Sequence, residues 1–146
     1  MQPYALLIIP LVAGFLAQIV KFVLFSFKHG MDWRFLLEYG HMPSSHTAMM
    51  SGLIYAIGYY NGITTPEFAT AFIVTLLVVS DALRLRRYIG SYGKTLNNLL
   101  YRLKIEDDAA SLKLKERVGH RPSEILAGAV LGVLTALVLI RVFELL

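Results

Sequence analysis

Three stretches of this sequence carry residues able to handle a phosphate group. His41-Met42-Pro43-Ser44-Ser45-His46-Thr47 stands at the start of an apolar run. Backbone N–H groups and hydroxyls at such a helix start hold an anion, with the His46 imidazole above it. Gly119-His120-Arg121-Pro122-Ser123-Glu124 opens another apolar run, with His120 and Glu124 four residues apart. At that spacing the carboxylate can accept the Nδ1 proton of the ring and leave Nε2 bare as a nucleophile. Lys21 and Lys28, seven residues apart in the first apolar run, share one helix face. Each feature also has an ordinary reading. Serine and proline cap helices, a His–Glu pair can be a structural ion pair, and lysines near a helix end snorkel to the interface. Lys21 is about 10 Å deeper than Lys28 by the helical rise, which makes snorkelling harder for it.

The elements that would position these residues are legible in the hydropathy pattern. The chain has 146 residues, 56% of them hydrophobic and 16% charged. Its mean hydropathy is +0.59. Apolar residues gather into long runs and the charges lie between them, which is what a bilayer demands. The expectation is an all-α integral membrane helical bundle, a single domain over 1–146, with about four transmembrane spans at about 4–27, 44–60, 66–83 and 123–145. The first run lacks a basic opening and a small-residue cleavage site, so it reads as a retained helix. The second would span only about 25 Å, which puts its N-terminal end below the membrane surface or in a thinned patch. Asn61-Gly62 ends it, and Thr65-Pro66-Glu67 opens the third with a cap, a proline at the first helical position and an acid in the first turn.

Between the third and fourth runs, about 84–121 is polar. There Leu96, Leu99, Leu100 and Leu103 fall at helical spacing among Lys94, Arg102 and Lys104. An amphipathic helix along the cytoplasmic membrane surface fits this pattern, and so does a solvated helical hairpin. Gly128-x-x-x-Gly132, Ala13 with Ala17, and Ala48 with Gly52 offer small faces for close helix approach, within the bundle or in a homo-oligomer.

The formal charge is +4 and there is no cysteine, so disulfides and thiolate metal sites are excluded. In a membrane protein such a basic balance reports orientation and contact with anionic lipid or phosphate rather than nucleic acid. The first and third loops hold the cations and the second holds none, which puts both termini outside and those two loops in the cytoplasm. The end of the first helix, the start of the second, the end of the third and the start of the fourth then lie on one side. Lys21, Lys28, His46, Arg86, Arg87, His120 and Glu124 can converge there. Two histidines, an orienting acid and several cations make a phosphoryl-transfer site.

These residues resemble a family. Pro43-Ser44-Ser45-His46 resembles the Pro-Ser-Gly-His motif of the type 2 phosphatidic acid phosphatase and vanadium haloperoxidase superfamily. His120-x-x-x-Glu124 resembles its His-x-x-x-Asp motif, and the Lys21, Lys28 spacing is similar to its lysine–arginine motif. Gln18 and Lys21, Met42 to His46, Asp81 with Arg86-Arg87 and Gly90, Leu96-Asn97, and Lys115-Glu116 before Gly119-His120 are similar to the pattern of its divergent branch of small membrane proteins. The sequence departs from the superfamily in Lys28-His29 for Arg-Pro, in Ser45 for glycine, and in Leu114 where an arginine is expected.

The resemblance implies a metal-independent lipid phosphate phosphatase without cofactor, set in a bacterial-type plasma membrane with its site on the cytoplasmic side. His120 would attack phosphorus, Glu124 would orient it, and His46 would protonate the leaving alkoxide. Lys21, Lys28, Ser44, Ser45 and Arg86 or Arg87 would bind the phosphate oxygens, with Asp81 holding an arginine in place. Two rivals remain: a decayed site that binds, senses or moves phosphorylated lipid without cleaving it, and a purely structural membrane subunit.

Overall fold

The computed structural model describes residues 4–29, 42–103, 114–116 and 119–145, and the side chains of Lys28 and His29 lie outside that description. Every regular element among the described residues is helical. α1 spans Ala5–His29, α2 Ser45–Tyr60, α3 Pro66–Ser80, α4 Arg86–Arg102 and α5 Pro122–Leu145. A π-helical turn, Asp81–Leu85, joins α3 to α4 without a break.

The chain caps its helices where the sequence predicts. Thr65 caps α3, its Oγ1 accepting the Phe68 N–H at 3.3 Å, with Pro66 and Glu67 in the first turn. Asn61 ends α2, and Gly62 turns the chain with a φ of 97° that suits glycine.

Three helical stretches are long and apolar enough to cross a membrane: Ala5–Phe27, Pro66–Arg102 and Pro122–Leu145. Their large side chains, among them Leu11, Phe15, Leu77, Leu126 and Val138, are exposed on the isolated chain, which in a bilayer is contact with lipid. α2 has 16 residues, about 24 Å, and is the shortest of the helices that start or end beside α1 and α5.

One expectation is modified. The hydropathy pattern ends the third run near Leu83 and assigns about 84–121 to a separate amphipathic helix or helical hairpin. Instead a single helical path of 37 residues continues to Arg102. At 1.5 Å per residue this is about 55 Å, far more than the hydrocarbon core, so α4 lies beyond the part that spans. Polar residues at 84–102 change the environment of the helix, but the stretch has no proline, and Gly90 and Gly93 are spaced along the helix rather than set at its end.

α2 packs against α1, α5 and α3, and α1 also meets α5. Small residues make this possible. Ala13, Ala17, Ala48 and Ala56 are fully buried. On α5, a Cβ at Gly128 would lie 2.3 Å from the Ser44 carbonyl oxygen, and one at Gly132 would lie 2.1 Å from both the Ala48 carbonyl and Ser51 Oγ. The Ser51 hydroxyl, 3.1 Å from the Ala129 carbonyl, adds a hydrogen bond across the same seam. At the other end of the bundle Ala5, Ile9, Ala56, Ala136 and Ile140 close the core.

The seam yields a direct test. Gly132→Ala should lower stability by about 1–3 kcal/mol, the usual scale of overpacking, whereas Leu134→Ala on the exposed face should change it little. Thermal unfolding midpoints in mild detergent read both variants, and an unshifted Gly132→Ala midpoint would refute the close seam.

Candidate functional site

Glu124 organises the start of α5. It stands at the third position of the helix, and its Oε2 accepts the Arg121 N–H at 3.1 Å, which is the acidic half of a capping box. The same oxygen lies 2.9 Å from His120 Nδ1. An ionised carboxylate can only accept, so the contact favours the proton on Nδ1, and in the neutral ring that leaves Nε2 as a lone pair. The two side chains are 10% and 13% exposed, so the pair is shielded yet reachable.

The start of α2 is tied to this corner through the backbone, the Ser44 N–H donating to the Glu124 carbonyl at 3.0 Å. Ser44 is fully buried, and its Oγ caps α2 by accepting from the Thr47 N–H at 3.4 Å and the Thr47 hydroxyl at 3.0 Å. Its N–H is therefore committed to the fold. The N–H groups of Ser45 and His46 have no acceptor within their own helix, the arrangement that suits an anion at a helix start. His46 is exposed, and its imidazole lies within electrostatic reach of Arg86, His120, Lys21 and Asp81.

Lys21 is only 8% exposed. Gly14, seven residues earlier on α1, packs beside Met49 and the Ser45 carbonyl of the antiparallel α2. Two further turns carry Lys21 about 10 Å along, to the level of the residues that open α2. Lys28 continues α1 beyond that level, and its side chain is outside the described residues, as is His41.

The π turn supplies the third side. The Arg86 N–H reaches back five residues to the Asp81 carbonyl, and the Ala82 carbonyl, the acceptor it would have in an α-helix, takes the His120 N–H at 3.2 Å. The wide turn thus hands a backbone acceptor to the candidate nucleophile's own residue. Asp81 Oδ2 lies 3.0 Å from Arg86 Nε, one of the two arginines the sequence offers as its partner. Arg86 faces the site, while Arg87 is exposed and packs with its backbone and Cγ against Gly119. Gly119 has a φ of 105°, and any Cβ there would press on both arginines.

The chain leading to His120 runs back along α4. The Asn97 side chain donates from Nδ2 to the Leu114 carbonyl at 2.9 Å and accepts the Leu114 N–H at 3.0 Å, as a neighbouring backbone would. Asn97 Nδ2 also lies 2.9 Å from Glu116 Oε1. Gly93 lets the Lys115 carbonyl approach to within 2.8 Å of where a Cβ would sit. Leu114, in the place of the expected arginine, is thus a backbone anchor. Sequence reasoning assigned no role to Asn97, Gly93 or the π turn. The only signal was that Asn97, Gly90 and Lys115-Glu116 belong to the resembling pattern, and nothing in Asp81–Leu85 marks a π turn by residue type.

Among the described residues no three His, Asp or Glu side chains gather in a way that would hold a metal ion. What converges is an imidazole oriented by a carboxylate, a second imidazole, a buried ammonium and a guanidinium fixed by an aspartate.

Fold and corner together define a helical integral membrane protein with a histidine–carboxylate site at one end of its bundle. Residues 4–135 match the Divergent PAP2 family, and the chain belongs to that family. It is also 30% identical over 145 residues to the uncharacterized membrane protein YuiD of Bacillus subtilis (strain 168), covering 91% of this chain and 92% of that protein. No solved structure matches the chain.

The clamp on the return segment can be tested without an activity assay. Asn97→Ala should speed hydrogen exchange at the Leu114 amide about tenfold, the equivalent of one net hydrogen bond, and leave exchange in α1 unchanged. Unchanged protection at Leu114 would show that the segment is held by something else.

Proposed function

We propose that the protein is a lipid phosphate phosphatase that works through a phosphohistidine. Membership of the Divergent PAP2 family makes phosphatase-like chemistry the natural starting point. The observation that carries the reading is the His120 Nδ1 to Glu124 Oε2 contact of 2.9 Å beside the start of α2. It supplies a nucleophile of the correct tautomer, next to a helix start suited to an anion.

In the first step His120 Nε2 attacks phosphorus and the bond from phosphorus to the alkoxide oxygen breaks. His46, protonated, gives its proton to the leaving alkoxide, and Glu124 steadies the positive ring of His120. In the second step water attacks the phosphohistidine, His46 accepts a proton from it, and inorganic phosphate leaves with His120 restored. Lys21, Arg86 and the N–H groups of Ser45 and His46 bind the non-bridging oxygens as charge shifts in the transition state, with Lys28 and Arg87 at the rim. Ser44 acts as the splint between α2 and α5, and Asp81 fixes the Arg86 guanidinium. The cations of the third loop, α4 included, support a cytoplasmic position for this end of the bundle.

The second reading, a site that binds phosphorylated lipid without cleaving it, is favoured by one observation. The position where the superfamily carries an arginine before His120 is Leu114, occupied with Asn97. The two readings part on covalent chemistry. His120→Ala and His46→Ala should each lower turnover of lipid phosphates by about a hundredfold or more, vanadate should inhibit, and acid-labile phosphate should be trapped on His120 of the intact protein. Near-normal turnover in His120→Ala would end the mechanism, and saturable lipid phosphate binding with no trapped phosphate would establish the binding reading instead.

A further inference from the structure

α4 and the turn before it have three faces, and the site uses one of them together with the edge of another at Arg87. Arg86, Gly90, Gly93 and Asn97 turn toward the site and its return segment. A second face carries Leu85, Ile89, Tyr92, Leu96, Leu99 and Leu103, spaced alternately by four and three residues and each between 47% and 64% exposed. The third bears Arg84, Arg87, Lys94 and Arg102. On it a recess of about 400 Å³, lined by Leu83, Arg84, Arg87, Tyr88 and Ser91, borders the apolar stripe at Tyr88.

We propose that α4 is a docking helix for an anionic lipid surface, with the apolar stripe in the acyl boundary and a headgroup phosphate in the Arg84, Arg87, Ser91 recess. Three observations select this occupant. α4 contains no acidic residue, so its only complementary surface is a negative one. It is continuous with α3, which holds its start at the bilayer, and a π turn, the kind of irregularity at which helices bend, lies between them. Tyr88 and Tyr92, both exposed, have the apolar ring and polar tip that suit the headgroup level. The four–three spacing would also suit a second copy of α4. Two such helices, however, would bring only like charges together at their flanks. The proposal requires no catalysis, so its failure would leave the phosphatase reading where it stands.

The absence of cysteine allows single labelling sites in the intact chain. Nitroxide would be attached in Leu96→Cys, Leu99→Cys and, on the polar side, Asn98→Cys. Each protein would be reconstituted in nanodiscs of phosphatidylcholine alone or with about one third phosphatidylglycerol. In the anionic discs, labels at 96 and 99 should be open to oxygen and shielded from a water-soluble nickel chelate, with the reverse at 98. Each cation removed outside the recess, as in Lys94→Gln or Arg102→Gln, should weaken the shielded state about fivefold, and added salt should weaken it too. Arg84→Gln should cost more than Arg102→Gln because it empties the recess, and equal losses would overturn the recess as the headgroup site. Labels at 96 and 99 as open to the chelate as the label at 98 would overturn the docking helix. Dipolar broadening between labels on two chains would also overturn it and assign the stripe to a second copy.

Discussion

The backbone contact between α2 and α5 is the constraint on which the rest of the structure depends. Within a bilayer no hydrophobic force presses helices together, since lipid tails are as apolar as leucine. Close approach has to come from the absence of side chains and from hydrogen bonds across the gap. Gly128 and Gly132 provide the first, and the Ser51 hydroxyl provides the second. Because the backbones meet, the Ser44 N–H can reach the Glu124 carbonyl. The residue that caps α2 is thereby bonded to the residue that orients His120. A slide of either helix by one residue would break the seam and this bond together, so the two halves of the candidate site cannot drift apart independently.

His120 is held from several directions at once, and each hold comes from a different part of the chain. Its ring is set by Glu124, its N–H by the Ala82 carbonyl, and the segment before it by Asn97. The π turn matters because α3 otherwise packs mainly on α2 and touches the site little. By releasing one carbonyl it fastens the third helix to the start of the last one. It also places Asp81 and Arg86 five residues apart on the same side, within 3.0 Å of each other. A regular helix would satisfy the Ala82 carbonyl internally and would offer His120 nothing.

Much of this was legible in the sequence because it rests on local chemistry. Thr65-Pro66-Glu67, Asn61-Gly62 and the Ser44 cap work through bonds between near neighbours, and those depend on residue type alone. The pairing of His120 with Glu124 follows from helical spacing, and that of Asp81 with Arg86 from sequence proximity. What could not be read depends on contacts distant in the chain. The π turn is stabilised by His120, 38 residues beyond Ala82, and no residue in the turn announces it. Asn97 looks like any polar residue of an exposed helix until Leu114 is laid beside it. Serine at a helix start can cap the helix or bind a phosphate, and only the fold shows that the Ser44 N–H is given to the Glu124 carbonyl across the seam. The glycines of α5 were a common spacing with several uses until α2 was seen resting on them.

The distribution of charge then bears on what the site can receive. A carboxylate near a phosphate would repel it, yet both carboxylates here are turned toward donors, Asp81 toward the Arg86 guanidinium and Glu124 toward His120 Nδ1 and the Arg121 N–H. The Asp81 charge is balanced at close range by Arg86 and the Glu124 oxygens are occupied by hydrogen bonds, while Lys21 brings a buried ammonium to the level of the start of α2. A charge at that depth costs several kcal/mol unless the site is built around it, and in poorly hydrated surroundings its field is little screened. α1 runs eight residues past Lys21, about 12 Å, so the corner is recessed below the end of that helix. A phosphate free in water would have to give up its hydration to descend that far. A phosphate attached to a lipid is already held at the interface by its tails and needs to sink only a short way, which is why, in the proposed reaction, the depth of the corner argues for a membrane-borne substrate.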